Sequence, residues 1–270
     1  MDHAILDFLW YFGKLIFLTL GTLVACGFAV RICAKLFSYL WGNRSETVLD
    51  LTSVVGTPIH ELGHAIMCIP FCHRITRVKL WAPYAKNGVY GFVEHSYNRR
   101  NPWAVLGNLF IGFGPIFSGL GVVVLMLWLC FSMQWTEYLS ASRALLLGEP
   151  SAREIVEGIF SLLCAFPNAF AANWGRSALG LLVILSVSLH ITLSWADVKG
   201  ALNALPIYFG LLFAVALVTY LTEMSATVTA WLSLLNLRVL SLFGVVIAFC
   251  AVWVILALLV GLVRIVIRWF

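Results

Sequence analysis

Long runs with few or no charges, each close to the length of a membrane crossing, constrain this chain more than any other feature. They are Leu15 to Val30, Leu51 to Phe71, Trp103 to Trp135, Ser177 to Ala196, Ala201 to Thr222 and Val239 to Val263. A helix needs about 20 apolar residues to cross about 30 Å of hydrocarbon. Only 11% of the 270 residues are charged and 62% are hydrophobic, whereas a soluble domain carries about a quarter charged residues. The pattern predicts an all-α integral membrane protein with six transmembrane helices and an extra half-helix over Met224 to Leu237.

The charges predict an orientation. Arg74, Arg77, Lys79, Lys86, Arg99 and Arg100 all fall between the second and third runs, which places that loop in the cytoplasm. With six crossings both termini lie on the same side, and Arg31, Lys35, Arg44 and Arg238 are among the charges expected opposite. Asp2 and Asp7 precede the first basic residue, Lys14, and no small-x-small cleavage site follows, so the first span is expected to stay rather than be removed as a signal. The net charge of +5 is spread over loops and calls for no nucleic-acid partner. The seven cysteines have no paired spacing and read as small buried hydrophobes, not as a disulfide framework.

Two loop features stand out. "RITRVKLW" alternates with the period of a strand, and "GVYGFVEHSY" follows after a turn containing Asn87-Gly88, which predicts a β-hairpin. Ser151 with Glu154 forms a capping box, and Ile155, Ile159, Leu162 and Leu163 then line one face of a short amphipathic helix on the membrane. The chain thus divides into an N-terminal transmembrane helix (1–45), a core (46–205) with the hairpin at 73–100 and the amphipathic segment at 150–165, and C-terminal transmembrane helices (206–270).

Inside the second run stands His60-Glu61-Leu62-Gly63-His64. On a helix, positions i and i+4 share a face, so both imidazoles can reach one zinc ion while Glu61 reaches the water beside it. Zinc lowers the pKa of such a water towards about 7, and a carboxylate can take its proton and pass it to a leaving amine. A catalytic zinc of this kind needs a third protein ligand. Glu94, His95, His190, Asp197 and Glu223 are the acidic or imidazole groups within reach of membrane depth. The fourth span runs in the same direction as the second and ends at Asp197, so Asp197 meets His60 and His64 at matching depth. Glu223 emerges on the far side. His190 lies about 10 Å deeper at 1.5 Å per residue, as a hydrogen-bonded core histidine or an oxyanion stabiliser, and Glu94 and His95 read as solvated strand residues. Gly56 and Pro58 precede the motif, and proline leaves the carbonyl of Val54 without its helical partner, either hydrating the site or merely kinking the helix.

With these residues the chain resembles the site-2 protease family of intramembrane zinc metalloproteases. The resemblance rests on His60, Glu61 and His64 in one span, a hairpin after it and Asp197 near the end of a later span, over roughly residues 45 to 205. It implies one Zn2+ held by His60, His64 and Asp197, with Glu61 as general base. It further implies an endopeptidase that cleaves membrane-spanning proteins within the bilayer, in the cell (inner) membrane if the source is bacterial, with the site towards the cytoplasmic face. The family's aspartate usually sits in N-x-x-P…L-D-G, whereas this chain reads Trp195-Ala196-Asp197-Val198-Lys199-Gly200. The substrate-contacting asparagine has no clear counterpart, and G-P-x-x-N becomes Gly114-Pro115-Ile116-Phe117-Ser118. No soluble sensing module stands in the chain, so regulation falls to membrane partners or to earlier cleavage of the substrate. The alternatives are a catalytically silent zinc-binding scaffold or regulator with the same fold, a membrane zincin whose third ligand would be Glu157 or Glu223, and an ion transporter.

Overall fold

In a computed structural model, residues 2–82, 89–131 and 167–269 are described, with the side chains of 2 and 264–269 left aside. The Asn87-Gly88 turn and the amphipathic segment with Ser151 and Glu154 lie outside them. The described chain is mostly helical: α1 (Asp2–Ile16), α2 (Thr22–Trp41), α3 (Arg44–Cys68), α4 (Pro102–Phe131), α5 (Trp174–His190), α6 (Trp195–Leu202), α7 (Leu205–Leu221) and α8 (Ser225–Trp269). A single π-turn over Phe17–Gly21 joins α1 to α2.

Among the described residues, three helices are long and apolar enough to cross a membrane: His3–Trp41, Pro102–Phe131 and Ser225–Val263. Trp174–His190 and Trp195–Leu202 make a fourth if the two are counted as one broken span, bent by 59°. The helices do not all keep to the length of a single crossing. The first helical run continues through the π-turn for 39 residues, about 58 Å at 1.5 Å per residue, and α8 runs for 45, because no proline interrupts either. The expected half-helix over Met224 to Leu237 is simply the first part of α8, whereas α7 stops at 17 residues.

The long helices let the molecule form two tiers. The main core brings α2, α4, α5, α6 and the middle of α8 together around Val30, Ile116, Val123, Ile184, Val187, Phe243 and Val246. A second cluster gathers Tyr11 and Leu15 of α1 with Ala216 of α7, flanked by Phe8, Phe12, Tyr220 and Leu232. Helix α4 is the centre of the main tier: 56% of its most apolar window is buried, against 28% and 22% for the two longer helices.

Helix α4 achieves this by close approach. A Cβ on Gly63 would strike the backbone carbonyl of Gly114, and one on Gly114 would strike that of Gly63, so the α3–α4 crossing needs both glycines, as small-residue helix interfaces do. Pro58 and Pro115 sit inside α3 and α4 without ending them. After α3, strands β1 (Arg74–Lys79) and β2 (Phe92–Ser96) pair antiparallel with Ile75 opposite His95 and Val78 opposite Val93. The register slips between Ile75 and Arg77, a bulge at Thr76 whose hydroxyl donates to the carbonyl of Glu94. The hairpin docks on α3 through the Trp81 indole, which donates to Ser53 Oγ at 3.0 Å.

Candidate metal centre

His60 and His64 stand one turn apart on α3, with ring centroids 5.1 Å apart. Asp197 reaches them because the chain breaks between α5 and α6. Ile191 and Leu193 of the break are buried among the core side chains, which anchors it. Exposed main-chain groups in an apolar interior are costly, and here the carbonyls of His190 and Leu193 both find side-chain donors. Arg31 of α2 donates to the carbonyl of Leu193, so this arginine serves the break rather than joining the charges expected on the opposite side. Ser194 then caps α6 in a reciprocal capping box: its Oγ accepts from the Asp197 N–H at 3.1 Å, and its own N–H donates to Asp197 Oδ2 at 2.9 Å. Gly112 lets α6 come close, since a Cβ there would lie 2.9 Å from the Asp197 carbonyl oxygen.

The ligand atoms of His60, His64 and Asp197 all lie within 4.8 Å of one another, and this group could hold a metal ion. His64 Nε2 and Asp197 Oδ1 are 3.4 Å apart, close to the roughly 3.3 Å that a tetrahedral zinc with bonds of about 2.0–2.2 Å imposes on neighbouring ligands. The imidazoles are held in the form a metal requires. His60 donates Nδ1–H to the carbonyl of His190 and His64 donates Nδ1–H to that of Ile111, both at 2.7 Å. Each ring therefore keeps its lone pair on Nε2, the arrangement in which ligating histidines are fixed by a carbonyl on the other nitrogen. Asp197 divides its labour likewise, with Oδ2 on the cap and Oδ1 free to ligate.

A cavity of about 610 Å³ opens onto these groups. Glu61 lines it, 7% exposed, and Gly91 of the hairpin covers it, since a Cβ on that residue would lie 2.8 Å from Glu61 Cγ. Thr57, Asn108, His190, Thr192 and Ser194 complete its polar lining together with His95. Thr57 Oγ1 and His190 Nε2 are buried without a hydrogen-bond partner.

The other candidates separate cleanly. His190 is outside the three-donor group; its ring donates Nδ1–H to the carbonyl of Ser186, and Gly56 makes room for it, since a Cβ there would strike the imidazole. Its main-chain carbonyl orients His60. Glu94 is exposed and pairs with Arg77 at 3.4 Å, as a solvated strand residue does. His95 is not solvated: it is half-buried, lines the cavity and shares a hydrogen bond with the buried His73. Strand alternation carried the signal, since Val93 and His95 share the face that turns inward. Glu223 is exposed at the turn between α7 and α8 with φ of 58°. Glu157 lies outside the described residues.

Two further residues had no signal in their local sequence. Ser118 of α4 donates to the carbonyl of Ile59, the residue before His60, at 2.7 Å, which makes the serine of Gly114-Pro115-Ile116-Phe117-Ser118 a brace for the motif helix. Asn108 is buried on the cavity wall and spends one amide N–H on the carbonyl of Val105. No protein-family model, curated protein or solved structure matches this chain.

Proposed function

We propose that this chain is an intramembrane zinc endopeptidase of the site-2 protease type, acting on membrane-spanning proteins. The observation that carries the reading is the convergence of His60, His64 and Asp197, with both imidazole Nδ1 protons engaged elsewhere, in one cavity with the buried Glu61. Neither a scaffold nor an ion path needs a carboxylate adjacent to a two-histidine site on the same helix.

The residues present fit zinc: two neutral nitrogens, one carboxylate oxygen and room for a fourth group. Bound there, zinc supplies a Lewis acid and a water of lowered pKa. Glu61 takes a proton from the attacking water as the new C–O bond forms and returns it to the amide nitrogen as the C–N bond breaks. Asn108 offers its second amide N–H to the carbonyl oxygen on which negative charge develops. The hairpin excludes bulk water above Glu61, and β2 offers an edge on which an unwound substrate segment can lie extended. Six crossings with both termini and the hairpin in the cytoplasm accord with the Arg and Lys distribution.

Metal analysis of protein purified without chelator tests this. About one zinc per chain is expected in the wild type and in Glu61→Gln, and none in His60→Ala or Asp197→Ala. Glu61→Gln should lose hydrolysis by about 10²–10⁴-fold while still capturing substrate. Wild type without zinc, or Glu61→Gln with unchanged hydrolysis, overturns the proposal and leaves the silent scaffold in its place.

A further inference from the structure

The hairpin wall of the cavity carries a histidine pair that the hydrolytic reading leaves idle. His73, buried just before β1, donates Nε2–H to the carbonyl of Ala104 on α4 at 2.7 Å. In the neutral ring this makes Nδ1 an acceptor. The Nδ1 atoms of His73 and His95 are 2.8 Å apart, so His95 supplies the proton of that bond and keeps its own lone pair on Nε2. The planes are held as well: His73 and His95 meet at 4.8 Å between centroids, and Tyr97 stacks on His73 at 4.6 Å. Burial, with His73 and His64 adding to it, holds His95 below the usual imidazole range, so the neutral ring prevails at neutral pH.

What this lone pair could meet follows from the rest of the wall. Val89, Gly91, Phe92 and Val93 line the cavity beside His95 without side-chain acceptors, and the Tyr90 phenol interacts with Asp50. An extended peptide brings backbone N–H groups into this space, and an N–H without a partner is costly where water is scarce. Among the described residues of this wall, the side-chain acceptor left for such an N–H is His95 Nε2.

We infer that His95 is a substrate-binding residue whose Nε2 accepts a backbone N–H of the peptide beside the scissile bond, and that His73 is the positioning residue that holds this tautomer. This rests on the hydrolytic reading above and specifies how the substrate backbone is gripped. The resting ring has no proton on Nε2, so the role is that of acceptor and not of oxyanion donor.

The zinc-loaded full chain and its His95→Phe, His95→Gln and His73→Phe variants are compared by metal content, by 15N imidazole spectra and by cleavage of labelled unfolded casein, an extended chain that needs no unwinding. The wild-type spectrum should show His95 protonated on Nδ1. His95→Phe should raise KM roughly 10- to 100-fold with zinc content intact and kcat changed less than about threefold, the pattern of lost uniform binding. His95→Gln, whose amide oxygen can accept, should recover most of the loss, and His73→Phe should leave a mixed tautomer with an intermediate KM. A wild-type KM in His95→Phe, an Nε2 proton on resting His95, or a Gln variant no better than Phe overturns the inference. Failure of the hydrolytic reading looks different: zinc-loaded wild type would leave casein intact like Glu61→Gln, and the inference would fall with it.

Discussion

The two imidazoles and the carboxylate of the metal centre are each held by a hydrogen bond that leaves one ligand atom free. Removing such an outer partner typically weakens metal binding about 10- to 100-fold. Ser194 is the position at which this can be done without removing a ligand. Its φ of −73° suits proline, and Ser194→Pro deletes both the hydroxyl and the N–H that hold Asp197. Chelator competition should show zinc affinity falling by about 10- to 100-fold, whereas Ser194→Ala, which keeps the N–H, should cost only about 0.5–2 kcal/mol of stability through the lost cap. Equal zinc affinities in the two variants would show that the carboxylate needs no such hold. At this scale the sequence told much: the spacing of His60 and His64 marks one helix face, and Asp197 follows from depth. His95 was misjudged because a strand's polar residue reads as solvated unless the fold is known to lay a cavity beneath it, and Asn108 drew no reading because nothing local distinguishes it from any other polar residue in an apolar run.

Elements bring these residues together through two devices, a tight helix crossing and a broken helix. The crossing of α3 and α4 at Gly63 and Gly114 tolerates no side chain without moving a backbone. Overpacking of this kind costs typically about 1–3 kcal/mol, and the displacement is transmitted to His64, whose partner carbonyl belongs to Ile111 one turn from Gly114. Gly114→Ala should therefore lower both the thermal midpoint and the zinc occupancy, while Gly121→Ala on the same helix, with open space around its Cβ, should change neither. The thermal midpoint and metal content of the two variants decide the point. The hairpin strands were legible from alternation, and the motif and central helices from the length of their apolar runs. The break at 191–194 was not, since "HITLS" contains neither glycine nor proline. Its conformation is set by tertiary contacts, Arg31 on one carbonyl and His60 on another.

Taken whole, the molecule gathers its candidate metal ligands from α3 and α6, with the hairpin packed on α3 beside them. Cys72 is exposed at the hairpin's entrance, which makes orientation measurable. If the hairpin faces the cytoplasm, a membrane-impermeant maleimide should leave Cys72 unlabelled in intact cells and label it after permeabilisation, with Cys72→Ser as control; labelling in intact cells would reverse the topology. Hydropathy predicts six spans and a separate half-helix, because it counts apolar residues without knowing which helices continue; in α8 the half-helix and the last run are one helix. A consequence for sequence drift lies in what holds the histidines. The partners of His60 and His64 are main-chain carbonyls, of His190 and Ile111, and every amino acid supplies a carbonyl. An alanine scan would find the ligands indispensable for the metal, whereas truncation at 111 or 190 would be felt through packing alone, since the grip on both imidazoles passes unchanged from one side chain to the next.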